Sequence, residues 1–264
     1  MTAEVTARVE VATRWDDADR HAHVNNAAYL SLLRAAHDLA AQRQPDGELR
    51  PAGQLRAVEI TYRAPATPGS RLVVDLLVVD TADALQRVRY RFAWGDVVVA
   101  DAEASWQIGG PPAILPLPEI AEVDGGPFTF DQTVRTYEVG PGGTVRPQAI
   151  VQWLEHAVFH AAERAGWPPE RMKAANFVPL VAGHDLVLGE PLVEGDRASV
   201  TSRIVQLRRV SGIWLHEVRR KDGALVAADH GRGAFVDLTG RIHAAPHELL
   251  DDILRGDPGR TESR

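Results

Sequence analysis

The chain has 264 residues, more than the roughly 100 to 200 of one ordinary domain, and its 45% hydrophobic and 25% charged residues describe a chain that buries a core. A formal net charge of −7 and a pI near 5.8, with the charges interspersed, exclude the clustered Lys and Arg of a nucleic-acid surface. The absence of cysteine removes disulfides, thiolate metal sites and a cysteine nucleophile, and makes the cytoplasm the default compartment.

The opening stretch MTAEVTARVEVATRW carries polar residues every few positions, so neither a signal-peptide core nor, later, a membrane-spanning run is expected. VTARVEVATRW alternates as a strand does, and Ala27 to Ala41 is rich in Ala and Leu at helical spacing. Four strand candidates follow: Leu55 to Arg63, Arg71 to Asp80, Leu85 to Trp94 and Val97 to Ile108. Gly109-Gly110-Pro111-Pro112 through Gly125-Gly126-Pro127 has no periodicity and reads as a linker. Beyond it the strand FTFDQTVRTYE precedes a helix from Pro147 to Ala165. Pro147 suits a first helical position, and Gly166 with Pro168-Pro169 marks the stop. Later strands are expected near Phe177 to Leu188, Ala198 to Leu207, Ile213 to Arg220 and Leu225 to Leu238, before a polar tail.

Strand, long helix, four strands: the order occurs twice, and the residues repeat with it. Arg14 lies opposite Arg135 and Val24 opposite Val145, at a spacing of 121 residues. Ala64-Pro65-Ala66-Thr67-Pro68-Gly69-Ser70-Arg71 lies opposite Glu190-Pro191-Leu192-Val193-Glu194-Gly195-Asp196-Arg197, at a spacing of 126. By this register Asn26 matches Pro147, which puts Asn25 at the cap of the first helix. The expected architecture is α+β: domain 1 over residues 1–112, a linker over 113–127, domain 2 over 128–254 and a flexible tail over 255–264. In each domain an antiparallel sheet wraps one long central helix. The two should pair edge to edge as a pseudo-dimer with a continuous sheet, which covers an exposed strand edge.

Asp17-Ala18-Asp19-Arg20-His21-Ala22-His23-Val24-Asn25-Asn26 packs two carboxylates, two imidazoles and two amides between a strand and a helix start. A carboxylate can deliver oxygen to an acyl carbon, and a helix N-terminus offers N–H groups to a developing oxyanion. The pattern DxDxxxHVNNxxY resembles the signature of hot-dog thioesterases of the 4-hydroxybenzoyl-CoA and acyl-ACP thioesterase type. The resemblance continues at Val58-Glu59-Ile60-Thr61-Tyr62-Arg63, Tyr137-Glu138-Val139-Gly140 and Gln152-Trp153-Leu154-Glu155. It implies two tandem hot-dog domains and hydrolysis of acyl-CoA or acyl-ACP to a free acid, with no cofactor. Asp19 then matches the catalytic aspartate and His23 the histidine two positions before Asn25. Asn25 and Glu155 join them as catalytic candidates, and His21, Asn26 and Tyr29 as substrate contacts. Plant-type acyl-ACP thioesterases carry Asn where this chain has His21, and a Glu-Cys pair where Pro65-Ala66 stand.

At the positions matching Asp19, His21 and His23 the second half has Gly140, Gly142 and Thr144, so the resemblance implies one working site, in the first half, and one degenerate one. Read alone, Asp17 and Asp19 are turn and capping residues; Asp17 keeps that reading. No third ligand supports a metal at His21 and His23. Glu155 stands between a cleft group and a structural one, while His156, His160 and His184 read as structural. Trp94, Trp106, Trp153, Trp167 and Trp214 read as packing residues. A hot-dog hydratase or dehydratase and a non-catalytic acyl-CoA-binding protein are the alternatives, and a further homodimer is compatible with the pseudo-dimer.

Overall fold

The computed structural model describes residues 5–19, 21–111, 115–120, 123 and 125–257, in two compact units. Unit 1 comprises Met1–Pro116 with Leu186–Gly189, and unit 2 Leu117–Asp185 with Glu190–Arg264. Of the stretch expected as linker, residues 113, 114, 121, 122 and 124 lie outside the described residues, as does the tail beyond residue 257.

Unit 1 holds β1 (Ala7–Ala12), α1 (Ala28–Arg43), β2 (Gln54–Tyr62), β3 (Arg71–Ala82), β4 (Leu85–Trp94) and β5 (Val97–Gln107). Its strands run in the order β1-β3-β4-β5-β2, and each neighbouring pair is antiparallel. One face of β3 and β4 is buried at every second residue, as the period of two demands. Helix α1 covers that face with Tyr29, Leu32, Leu33, Ala36, His37, Ala40 and Ala41, all buried and recurring every three to four residues. The alanines let helix and sheet approach closely. Leu33, Leu76, Tyr90 and Phe92 form the centre of this core, where Leu33→Ala would cost about 2–5 kcal/mol.

A polar network completes it. His37 Nε2 lies 2.7 Å from the Arg50 carbonyl and His37 Nδ1 2.5 Å from the Tyr90 hydroxyl. Because a carbonyl only accepts, Nε2 carries the proton and Nδ1 accepts from the Tyr90 O–H. Trp106 Nε1 then donates to the same Tyr90 oxygen at 2.8 Å. Burial pushes the His37 imidazole below its usual range, so the ring stays neutral. The opposite sheet face is solvated and laddered with cross-strand ion pairs, among them Arg89 with Glu103 and Arg91 with Asp101.

Unit 2 holds β6 (Phe128–Thr133), α2 (Pro147–Arg164), α3 (Pro169–Ala174), β7 (Val178–Leu188), β8 (Arg197–Arg208), β9 (Ser211–Arg220), β10 (Leu225–Val236) and α4 (His247–Arg255). The order β7-β10-β9-β8-β6 repeats that of unit 1, with α2 in the place of α1. Helices α3 and α4 are additions that the sequence reading passed over. α4 is short and charge-rich, and it is held by burying Leu249 and Ile253 in a cluster with Phe128 and Trp167. Trp167 Nε1 also donates to Asp252 Oδ2 at 3.0 Å. Among the described residues no helix is long and apolar enough to cross a membrane.

Candidate active site

Between β1 and α1 the chain folds back on itself. Thr13 N–H donates to the Ser70 carbonyl at 2.9 Å, and one 3-10 turn spans Trp15–Asp17. Asp17 is 3% exposed, and its Oδ2 accepts the Arg14 amide at 2.7 Å. The Asp17 carbonyl accepts the Asn25 amide, also at 2.7 Å. Asp17 thus clamps both ends of the loop, which is the structural role read for it.

Asp19 sits at the tip, half-buried. Its amide donates to the His23 carbonyl at 2.8 Å, and its Oδ1 accepts the amides of His21 at 2.7 Å and His23 at 3.0 Å. Oδ2 has no hydrogen-bond donor among the described residues. The loop therefore spends one carboxylate oxygen on its own geometry. His21 and His23 are exposed, their rings 6.4 Å apart. Ala22 between them has φ of 57°, a left-handed conformation that costs a residue with a Cβ about 1–2 kcal/mol.

The helix starts slightly later than the repeat register implies. α1 begins at Ala28, after a tight turn in which Ala28, Tyr29 and Leu30 amides donate three residues back. Its N-cap is Ala27, without a side-chain cap bond, so Asn25 is not the cap residue; Asn25 Oδ1 accepts the Ala27 amide at 2.9 Å in the turn before the helix. With the Asn25 and Ala27 amides both engaged, the N–H without an acceptor among the described residues is that of Asn26. Tyr62 Oη donates to the Asn26 carbonyl at 2.9 Å. Tyr29 is 2% exposed and packs on Tyr62 and Phe92 at 5.5 and 5.6 Å between ring centroids. Burial pushes its hydroxyl up to about 12, so it stays a neutral core group beneath the loop.

Unit 2 reproduces this loop bond for bond without its side chains. Glu138 Oε2 caps the Arg135 amide at 2.8 Å, the Gly140 amide donates to the Thr144 carbonyl at 2.8 Å, and the Arg146 amide to the Glu138 carbonyl at 2.9 Å. Gly143, with φ of 77°, stands where Ala22 does. The carboxylate and imidazoles of unit 1 are therefore not required to make the loop close.

Glu155 lies on α2 in unit 2, 11% exposed, with Oε1 3.7 Å from His184 Nε2. His184 on β7 is itself buried, and its Nδ1 is 2.8 Å from Asp229 Oδ2. Burial pushes the His184 imidazole down, but the Asp229 charge and hydrogen bond, with Glu155 adding to them, outweigh it and raise it to about 10. Across the strands, Asp229 faces His216 and His216 faces Ser202 in register. Ser202 Oγ and His216 Nδ1 are 2.7 Å apart, and burial lowers His216 to about 4. The sequence reading missed Asp229, His216 and Ser202; the one signal was a polar run, Asp229-His230, inside an otherwise apolar strand. His156 and His160 are exposed. Among the described residues no three His, Asp or Glu side chains are grouped closely enough to hold a metal ion.

Two sets of five strands, each with one long helix and following one another in a single chain, define a tandem hot-dog protein. Its second half, residues 134–254, matches the thioesterase-like superfamily. No curated protein matches the sequence. Among solved structures, one described as an oleoyl thioesterase from Lactobacillus plantarum aligns with a TM-score of 0.67 at 10% identity, covering 89% of this chain and 98% of that one. A 12:0-ACP thioesterase from Umbellularia californica aligns at 0.63 and 10%, covering 86% and 93%. An acyl-ACP thioesterase from Bacteroides thetaiotaomicron aligns at 0.61 and 11%, covering 87% and 97%. At such identity these likenesses concern the fold. The family match falls on the half that lacks the Asp19 motif and takes in Glu155, His184 and Asp229.

Proposed function

We propose that the chain hydrolyses acyl thioesters of coenzyme A or acyl carrier protein to the free acid and thiol. The observation that carries this reading is the Asp19 loop: a carboxylate with one oxygen that no described residue engages, a few residues before a helix start whose Asn26 amide has no acceptor among the described residues. Asp19 takes a proton from water as that water's oxygen bonds to the thioester carbon, or its own oxygen attacks that carbon first. The Asn26 N–H and the positive end of α1 stabilise the carbonyl oxygen as it gains charge. His23 orients Asp19 or the thioester, and His21 and Asn26 border the acyl group. Collapse of the tetrahedral intermediate breaks the carbon–sulfur bond, and the thiolate leaves to take up the proton. Glu155 in unit 2 is a second candidate base.

Thiol release measured over acyl-CoA and acyl-ACP substrates of differing chain length tests the proposal. Release that disappears in Asp19→Ala is the expected result. Crotonyl-CoA that loses its enoyl absorbance without releasing thiol would replace this reading with hydration, and binding without either reaction would replace it with an acyl-thioester carrier or sensor.

A further inference from the structure

The polar row beneath α2 exceeds what this fold needs. In unit 1 the corresponding row across β3, β4, β5 and β2 is Leu76, Tyr90, Ala102 and Ile60, which face one another in register and are all buried. Unit 2 has Ser202, His216 and Asp229 across β8, β9 and β10, with His184 of β7 bonded to Asp229. All four are buried. The helix above changes in step. Arg34, an exposed residue paired with Asp38, is replaced at the matching position by Glu155, which is nearly buried and has Oε1 without a hydrogen bond. Glu155, His184, His216 and Gly231 line one cavity of about 50 Å³, walled by Leu154, Phe159, Trp214 and other apolar groups. That volume accommodates ordered water beside the carboxylate. Gly231 keeps it open, since a Cβ there would come within 3.0 Å of His216 Nε2. Buried polar groups of this density are costly, and unit 1 shows the same fold made largely without them.

We propose that His184, fixed by Asp229, is a positioning residue for Glu155 in thioester hydrolysis, holding the Glu155 carboxylate oriented toward water in this cavity. The inference rests on the hydrolase reading. His184 stands between two carboxylates, its Nδ1 2.8 Å from Asp229 Oδ2 and its Nε2 3.7 Å from Glu155 Oε1. The remaining groups facing it leave that arrangement intact. His216 stays neutral, its Nδ1 bonded to Ser202. His230 adjoins Asp229 on β10, and Arg232 is paired with Asp185 at 3.2 Å. On α2 itself, His156 and His160 are exposed.

The test compares pH profiles of thiol release for the wild type, Glu155→Gln, His184→Gln and Asp229→Asn. Glu155→Gln should lower kcat about a hundredfold or more with little change in KM. The other two should lower kcat about tenfold at neutral pH, with the acid limb of the profile moved up by about one unit and the rate recovered in alkali. A merely structural role would depress stability and leave the limb in place, which overturns the proposal. So does wild-type turnover in Glu155→Gln while Asp19→Asn is inactive, an outcome that leaves the hydrolase reading standing. Loss of all thiol release in the wild type is the separate failure of that reading. Nitrogen-15 shifts of the His184 ring decide the pairing without turnover or unstable variants. A ring still protonated at about pH 8 in the wild type and titrating lower in Glu155→Gln is expected; a neutral ring there overturns the proposal.

Discussion

In Asp19→Asn the side-chain Oδ1 still accepts the His21 and His23 amides, which lie 2.7 and 3.0 Å away in the wild type, while the negative charge and the proton-accepting Oδ2 are lost. Asp19→Ala removes both. The structural share of that loss follows from two hydrogen bonds exposed to competing water, worth about 0.5–1.5 kcal/mol each. It is bounded from above by Gly140 in unit 2, whose loop closes with the same backbone bonds and no side chain. Asp19→Ala should therefore cost about 1–2 kcal/mol, or roughly 3–8 °C in Tm, whereas Asp19→Asn should unfold with the wild type. In catalysis the order collapses: both variants should lose about a hundred- to ten-thousand-fold in kcat/KM, the usual contribution of a positioned base. Thiol release from acyl-CoA, read alongside thermal unfolding by circular dichroism, separates the two effects. An Asp19→Asn protein that keeps wild-type turnover would refute the assignment of Oδ2 as the reacting oxygen.

Ala22→Gly should raise stability by about 0.5–1 kcal/mol in denaturant titrations, because relief of the left-handed strain outweighs the added freedom of the unfolded chain; Gly143 already occupies the matching position. Tyr90→Phe leaves His37 Nδ1 and Trp106 Nε1 without their shared partner in the core and should cost about 2–4 kcal/mol, measured the same way. Stability should peak near neutrality. His184, raised to about 10 from about 6.5 when unfolded, contributes fully below that unfolded value and loses its contribution as pH rises toward about 10. His216, lowered to about 4, contributes above about 6.5 and is lost as pH falls toward about 4. Each is worth on the order of a few kcal/mol, and a flat Tm from about pH 6.5 to 10 in a pH series would contradict the His184 arrangement.

The sequence alone determined the elements whose signal is local. Alternation over Leu85 to Trp94 coincides with β4, and Pro147 opens α2 because a missing N–H costs nothing there. The repeat of Arg14 and Val24 at Arg135 and Val145 marked two loops that share their backbone bonds, and DADRHAHVNN located Asp19 at the tip of the first. α4 escaped because its few apolar residues stay helical only by packing on Phe128 and Trp167. The division of labour between Asp19 Oδ1 and Oδ2, and between the Asn25 and Asn26 amides, depends on which hydrogen bonds the closed loop consumes. The row under α2 depended on the tertiary structure most of all. His184 and Asp229 are 45 residues apart and Ser202 and His216 are 14, so no periodicity links them. Strand register sets them side by side; burial then keeps the His216 imidazole neutral, whereas at His184 the Asp229 and Glu155 carboxylates outweigh burial and keep the ring protonated.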